Sequence, residues 1–192
     1  SLLALFVGGY SPIMVVTNMF SAGDSFPIKA IPFFILAGEM MNSGRITSRI
    51  VAFSRDIVGY IRGGLSHVNI VASMFFAGIS GSATADASAL GSMLIPVMVE
   101  DKYSPEFSVA VTATSSTIGP LIPPSMMMII YGVIANVSIA ELFLAGIVPG
   151  VSVGLALMGM SYYLSVKHGY GAVCSFSLPN IWKSFLRAFI LA

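Results

Sequence analysis

Long apolar runs, each stopped by a short polar or glycine-proline interruption, set the pattern of this chain. Leu2 to Val7 is apolar and stops at Gly8-Gly9; Ser11 to Phe20 is a mildly polar continuation, and SAGDSFP (21–27) reads as a turn with Asp24 exposed. IKAIPFFILAGEMM (28–41) predicts a span of near-minimal length with Glu39 at the interface. From Asn42 to Arg62 the pattern turns amphipathic. Ile46, Ile50, Phe53, Ile57 and Ile61 recur on one helical face, and Arg45, Arg49, Arg55, Asp56 and Arg62 lie around the other side. That spacing predicts a helix lying along a membrane surface, with an ordinary linker helix as the plainer reading.

The next run poses a geometric problem. Residues 63–99 number 37 and contain one formal charge, Asp86. Two full crossings need about 20 residues each plus a turn, whereas a single helix of this length would reach about 55 Å across roughly 30 Å of hydrocarbon. A re-entrant helical hairpin fits, descending along 64–78, turning in 79–88 (within GISGSATADAS) and returning along 89–99. EDKYSPE (100–106) returns to water, and 107–135 carries no charge. Pro120, Pro123 and Pro124 then fall within five residues, more than one kink absorbs. A discontinuous helix is predicted, 107–117 and about 125–134 with an unwound stretch between them. NVS (136–138) is a turn, 139–166 a long span containing Pro149-Gly150, and 167–192 carries Lys167, Lys183, Arg187 and a possible interface anchor, Trp182.

Composition narrows the class. Among 192 residues 56% are hydrophobic and 9% charged, far below the roughly 25% charge of a soluble domain, so the fold class is all-α and polytopic in a lipid bilayer. A net charge of +1 gives no field that would attract nucleic acid. The lone Cys174 makes no internal disulfide and no metal site with His67 and His168. There is no initiator Met and no signal-peptide layout, and both ends read as parts of spans, so a piece of a longer polypeptide is expected. The arm at 42–62, the 100–106 loop and the 167–187 segment hold eight of the nine Lys and Arg, all but Lys29, which places these three on the cytoplasmic side.

The two interrupted places concentrate oxygen. Ser80, Ser82, Thr84, Asp86 and Ser88 lie in one, Ser115, Ser116, Thr117 and Ser125 in the other. Irregular backbone at membrane depth persists where it is buried in protein or lines a watery cavity. Hydroxyls, carbonyls and one carboxylate make a hard environment suited to an alkali cation such as Na⁺, and broken helices meeting an ion and a substrate recur in secondary transporters. Each hydroxyl also has a structural reading, a bond to the preceding turn or to a neighbouring helix. Asp86 is either functional, given the cost of a carboxylate in lipid, or an N-cap of the returning helix. For His67 and Asn69 a structural hydrogen bond is expected, for Gly78 and Gly81 close packing, and for the methionines, Met126–Met128 included, core filling.

IPFFILAGEMMNSGRI (31–46), GGLSHVNIVASMFFAGISGSATADASALG (63–91), TATSSTIGPLIPPS (112–125) and LFLAGIVPG (142–150) together resemble the large membrane subunit of tripartite ATP-independent periplasmic (TRAP) transporters, DctM-like, over nearly the whole chain. The resemblance implies a bacterial or archaeal cytoplasmic (inner) membrane protein, not an enzyme. It implies Na⁺-driven uptake of organic acids such as C4-dicarboxylates or sialic acid, delivered by a periplasmic substrate-binding protein, with a small membrane subunit bracing the large one. It also implies an elevator motion and two inverted repeats, of which this chain would hold the first. The implied division is scaffold segments at 1–41, an arm helix at 42–62, a transport-domain part at 63–135 (hairpin 63–99, broken helix 107–134), and a span with connector at 136–192. Carried over position by position, the Na⁺ set is Ser80, Gly81, Ser82, Ser116, Thr117, Gly119 and Pro120, and the substrate-facing set is Ser82, Asp86 and Ser125. No Arg or Lys lies in the expected core, so a carboxylate substrate would need hydroxyls, helix N-termini and bound Na⁺ for charge balance.

Three other readings compete. One is a hairpin-containing ion-coupled carrier that needs no binding protein. A purely structural subunit explains the packing but leaves Asp86 and two helix breaks without purpose. The third is an intramembrane serine protease, since Gly78-Ile79-Ser80-Gly81 fits a G-x-S-G pattern. Such chemistry needs a histidine base at the depth of the serine, and neither His67 near the hairpin mouth nor His168 at the boundary matches it.

Overall fold

A computed structural model describes residues 12–23, 32–33, 36 and 46–171. The remainder of the expected span at 28–41, the start of the arm at 42–45 and the segment 172–192 lie outside the described residues. Within them the chain is helical, with no strand. In order the helices are α1 (Pro12–Gly23), α2 (Ile46–Val58), α3 (Gly64–Ser80), α4 (Ala83–Glu100), α5 (Pro105–Ser116), α6 (Met126–Ala135) and α7 (Ile139–His168).

The amphipathic stripe of the arm has a protein partner. Ile50 and Val58 of α2 are buried in one cluster with Val68, Ala72 and Phe76 of α3 and Leu90 and Leu94 of α4. The face expected to meet lipid therefore covers the α3–α4 hairpin, while Arg55 on the same helix is exposed. A second cluster ties α3 to α5 and the break through Ile70, Ala77, Val111 and Ile118, with Met74, Ile122 and Leu157 packed against it.

Among the described residues α7 is the one helix long and apolar enough to cross a membrane. Its buried positions are small: Gly146, Gly150, Gly154, Ser161 and Ser165. A Cβ at Gly146 would lie 2.6 Å from the Leu121 carbonyl oxygen, and one at Gly154 would lie 2.6 Å from the Met74 sulfur. Small side chains thus let α7 run hard against both the broken helix and α3, the closeness on which helix association in lipid depends. Near its end Ser161 donates to Ser66 at 2.6 Å. Beyond α7 the Gly171 carbonyl accepts from the backbone N–H groups of Gly63 and Gly64 at 3.0 and 3.2 Å. Those are orphan donors at the start of α3. Tyr170 stacks on Tyr103 with ring centroids 4.1 Å apart, so the chain following α7 closes over the base of the hairpin.

Candidate functional site

The hairpin tip is tighter than the sequence suggests. α3 continues through Ser80 and ends on Gly81, whose left-handed backbone (φ 57°, ψ 18°) returns its N–H to the Ala77 carbonyl at 3.0 Å. Ser82 is extended and caps α4, its side chain accepting from the Ala85 N–H at 3.5 Å. Only Gly81 and Ser82 lie outside helix, so the turn expected over 79–88 is corrected to these two residues. The polar letters that suggested a loop are instead a cap followed by a first turn carrying Asp86, a placement that the positive end of a helix favours.

At the break α5 tightens before it ends: the N–H groups of Thr117, Ile118 and Gly119 bond the carbonyls of Thr114, Ser115 and Ser116 at 3.0–3.2 Å. This is the narrower three-residue winding usual at helix ends. The three prolines keep 120–124 out of helix, the Pro123–Pro124 bond is cis, and Ser125 starts α6 by accepting from the Met128 N–H at 3.4 Å. The predicted discontinuity is present, within a residue or two of its expected bounds.

The two interruptions meet. A Cβ at Gly81 would lie 2.6 Å from the Pro124 carbonyl oxygen and 3.0 Å from Ser125 Cα, and one at Gly78 would touch the Pro123 carbonyl oxygen at 3.6 Å. One at Gly119 would lie 2.7 Å from Asp86 Oδ2 and 3.2 Å from both the Ala83 nitrogen and the Ser116 carbonyl oxygen. Asp86 is fully buried, its Oδ1 accepting from the Ser80 hydroxyl, while Oδ2 has no hydrogen-bond partner. Two helices end here (α3 and α5) and two begin (α4 and α6). Carbonyl-rich ends suit a cation and N–H-rich starts suit an anion, so the junction presents both polarities within a few ångströms.

The sequence-derived residues divide by what their side chains do. Ser80, Gly81, Gly119 and Asp86 come together at the junction. Ser82 is half-buried, with its hydroxyl 3.0 Å from that of Thr84. Ser116 is buried and Thr117 exposed; each donates back to its own helix, to the Thr112 and Thr114 carbonyls respectively, at 2.7 Å. What Ser116 brings to the junction is its carbonyl. Pro120 is half-buried, and Ser125 is fully buried and engaged in its cap. Neither Asp86 nor Ser125 presents its side chain to open space in this structure.

Two further findings bear on the site. The Ser80 hydroxyl is bonded to Asp86, and His67 has no hydrogen-bond partner at either ring nitrogen, so the protease arrangement of serine with histidine is absent among the described residues. A buried polar network between α3 and α5, built from Asn69, Ser73, Thr112 and Ser115, goes beyond the single bond expected for Asn69. Its signal in the sequence is the Ser108, Thr112, Ser115, Ser116 spacing on one face of a helix whose one formal charge, Glu106, lies in its first turn.

Residues 1–191 match the family described as "Tripartite ATP-independent periplasmic transporter, DctM component". The chain is 48% identical over 173 residues, 90% of its length, to the sialic acid TRAP transporter large permease protein SiaM of Vibrio cholerae, covering 40% of that protein. It is 49% identical over 166 residues, 86% of its length, to the sialic acid TRAP transporter permease protein SiaT of Haemophilus influenzae, covering 27% of it. To the 2,3-diketo-L-gulonate TRAP transporter large permease protein YiaN of Escherichia coli it is 38% identical over 173 residues, 90% of its length and 41% of that protein. The chain thus spans less than half the length of these curated relatives. With the family matched from end to end and the relatives being permeases rather than enzymes, the chain belongs to the DctM component family of TRAP transporters.

Proposed function

We propose that this chain is the first half of a Na⁺-coupled permease that moves an organic acid across the inner membrane, and that the junction of tip and break is its cation site. The observation that carries the reading is the seating of Gly81 against Pro124–Ser125 together with the unpartnered, fully buried Asp86 oxygen beside Gly119. A buried carboxylate oxygen without a donor is costly unless a positive charge or a proton answers it. Na⁺ does so with oxygen ligands available from Ser80, Ser82, Asp86 and the turn carbonyls near Ser116 and Gly119. The substrate carboxylate then sits on the outer side of the same junction, where Ser82 is half-open and α4 and α6 begin.

In this reading α3 and α4 form a re-entrant hairpin entering from the cytoplasmic side, and α2 is the arm that carries it. The hairpin, broken helix and α7 move together past a scaffold as an elevator. Relatives named for sialic acid and 2,3-diketo-L-gulonate support an organic acid as the substrate. A periplasmic binding protein delivers it, and a small membrane subunit braces the assembly. The test uses the complete permease with its small subunit in proteoliposomes, labelled sialic acid, and the soluble binding protein outside. Uptake that rises with an inward Na⁺ gradient and needs the binding protein is expected. Equal uptake with K⁺ on both sides removes the Na⁺ reading, and uptake without the binding protein removes the partner.

A further inference from the structure

Asn69 lies three turns from the hairpin tip and touches neither the tip nor the break, yet it is fully buried and bonded across helices. Its Nδ2 donates to Thr112 Oγ1 of α5 at 2.7 Å and lies 3.7 Å from Met98 Sδ of α4. Its Oδ1 lies 3.5 Å from Ser115 Oγ, sharing that hydroxyl's one proton with the Thr112 carbonyl, and Ser115 Oγ accepts from Ser73 Oγ at 2.9 Å.

These cross-helix bonds are not needed to satisfy the α5 hydroxyls. Thr112 Oγ1 donates to the Ser108 carbonyl at 2.9 Å, and Ser115 Oγ donates to the Thr112 carbonyl at 3.1 Å, both within their own helix. Either hydroxyl alone would be content against an apolar neighbour, as serine and threonine commonly are in membrane helices. An amide is different: Asn69 has no such partner on its own helix among the bonds it makes, and its bonds close only when α3 and α5 stand in one register. Ser115 is the penultimate residue of α5, directly before the break, and Ser73 stands two helical turns before Ser80. A slip of α3 along α5 would carry Gly81 off Pro124 and Asp86 off Gly119 by the same amount, because helices transmit displacement along their axes with little loss.

We propose that Asn69, through Thr112 and Ser115, is a positioning residue that fixes the register of the hairpin on the broken helix and so sets the geometry of the cation site. The inference rests on the proposed function, since the cation is that of the same junction. The experiment measures Na⁺ dependence of labelled sialic acid uptake by the complete permease complex in proteoliposomes for wild type, Asn69→Leu, Thr112→Val and the double variant. Ser66→Ala/Ser161→Ala serves as a control that breaks an equally buried interhelical bond, at 2.6 Å, away from the junction. Half-saturating Na⁺ should rise about threefold for each bond lost, with the double variant no worse than the Asn69 variant. The control should leave it unchanged.

Thr112→Val nearly keeps volume and removes one acceptor of the Asn69 amide while leaving Met98 Sδ at 3.7 Å and the asparagine itself in place, so it reports even where Asn69→Leu fails to insert. A Thr112→Val protein with wild-type half-saturating Na⁺, or a control pair that shifts it equally, overturns the positioning role. A wild-type permease indifferent to Na⁺ instead overturns the underlying functional reading, so the two failures are distinct.

Discussion

Gly81→Ala is the sharpest single probe of the junction. Two costs follow from its position. The backbone is left-handed, with φ at 57°, where an alanine pays roughly 1–2 kcal/mol that glycine does not. The new Cβ would also stand 2.6 Å from the Pro124 carbonyl oxygen, 3.0 Å from Ser125 Cα and 3.2 Å from the Met126 nitrogen. All three are backbone atoms, held by the prolines before them and the cap after, so no side chain can swing aside. The tip must lift by most of an ångström or the break must shift, an overpacking cost of about 1–3 kcal/mol. Together these are about 2–5 kcal/mol against the seated tip, a fall of between about 30-fold and about 4,000-fold in its population relative to an unseated one.

The assay is Na⁺-driven uptake by the complete permease in proteoliposomes, with protein insertion checked separately by size-exclusion profile and thermal unfolding. Half-saturating Na⁺ should move upward by at least an order of magnitude, or uptake should cease, while the protein stays monodisperse. Gly159→Ala is the matched control, because nothing lies within 4 Å of the added methyl and the site is interior to α7. There alanine should be neutral or gain up to about 1 kcal/mol of helix propensity. A Gly81→Ala permease with wild-type Na⁺ dependence would mean that the tip need not sit on 124–126 during transport, and the junction would lose its role.

Further substitutions probe the same surfaces. Gly119→Ala places a methyl 2.7 Å from Asp86 Oδ2 and should abolish the Na⁺ response with little change in expression, read as uptake against Na⁺ concentration. Asp86→Asn removes the charge but keeps the shape, so Na⁺ affinity should fall by at least tenfold; an unaltered Na⁺ titration would take Asp86 out of the site. Gly63→Ala combines a φ of 76° with a Cβ position that overlaps the Ser165 side chain, and should lower the unfolding temperature of the purified protein. Adding Ser165→Gly should recover the steric part of that loss but not the backbone part.

The gross layout was legible because length and charge are strong constraints in lipid. A 37-residue run with a single charge is too short for two crossings and too long for one, and three prolines in five residues cannot sit in a helix, so a helical hairpin and a break followed from counting. Less legible was the arm, whose isoleucines at helical spacing fit a lipid surface and a protein surface equally. Only tertiary structure says that Ile50 and Val58 share one buried cluster with Leu90 and Leu94. The meeting of Gly81 with Pro124 is likewise a contact across more than forty residues, and no local pattern encodes it. The two oxygen-rich interruptions, and then the family resemblance, supplied the expectation that these places belong together, and the glycine contacts give it a physical cause.

Asp86 carries the most instructive displacement. Taking 79–88 as a loop removes any periodicity from the segment, so its carboxylate has no assigned face and a substrate-facing position is as natural as any. Starting the helix one residue after Ser82 changes that at once. Asp86, Leu90, Leu94 and Met98 then recur every four residues and are all buried, while Thr84, Ser88 and Ser92, offset by two, are all exposed. The hydroxyl stripe and the carboxylate, adjacent in sequence, therefore serve opposite sides of α4. A charge placed in line with Leu90 and Leu94 is tolerable only where a partner waits inside, and the break supplies one candidate partner in the form of a cation held between Ser80, Gly119 and the carboxylate itself. It follows that swapping Asp86 with Ser88, about half a helical turn apart, should not shift the site but destroy it, since position 88 looks away from Gly119.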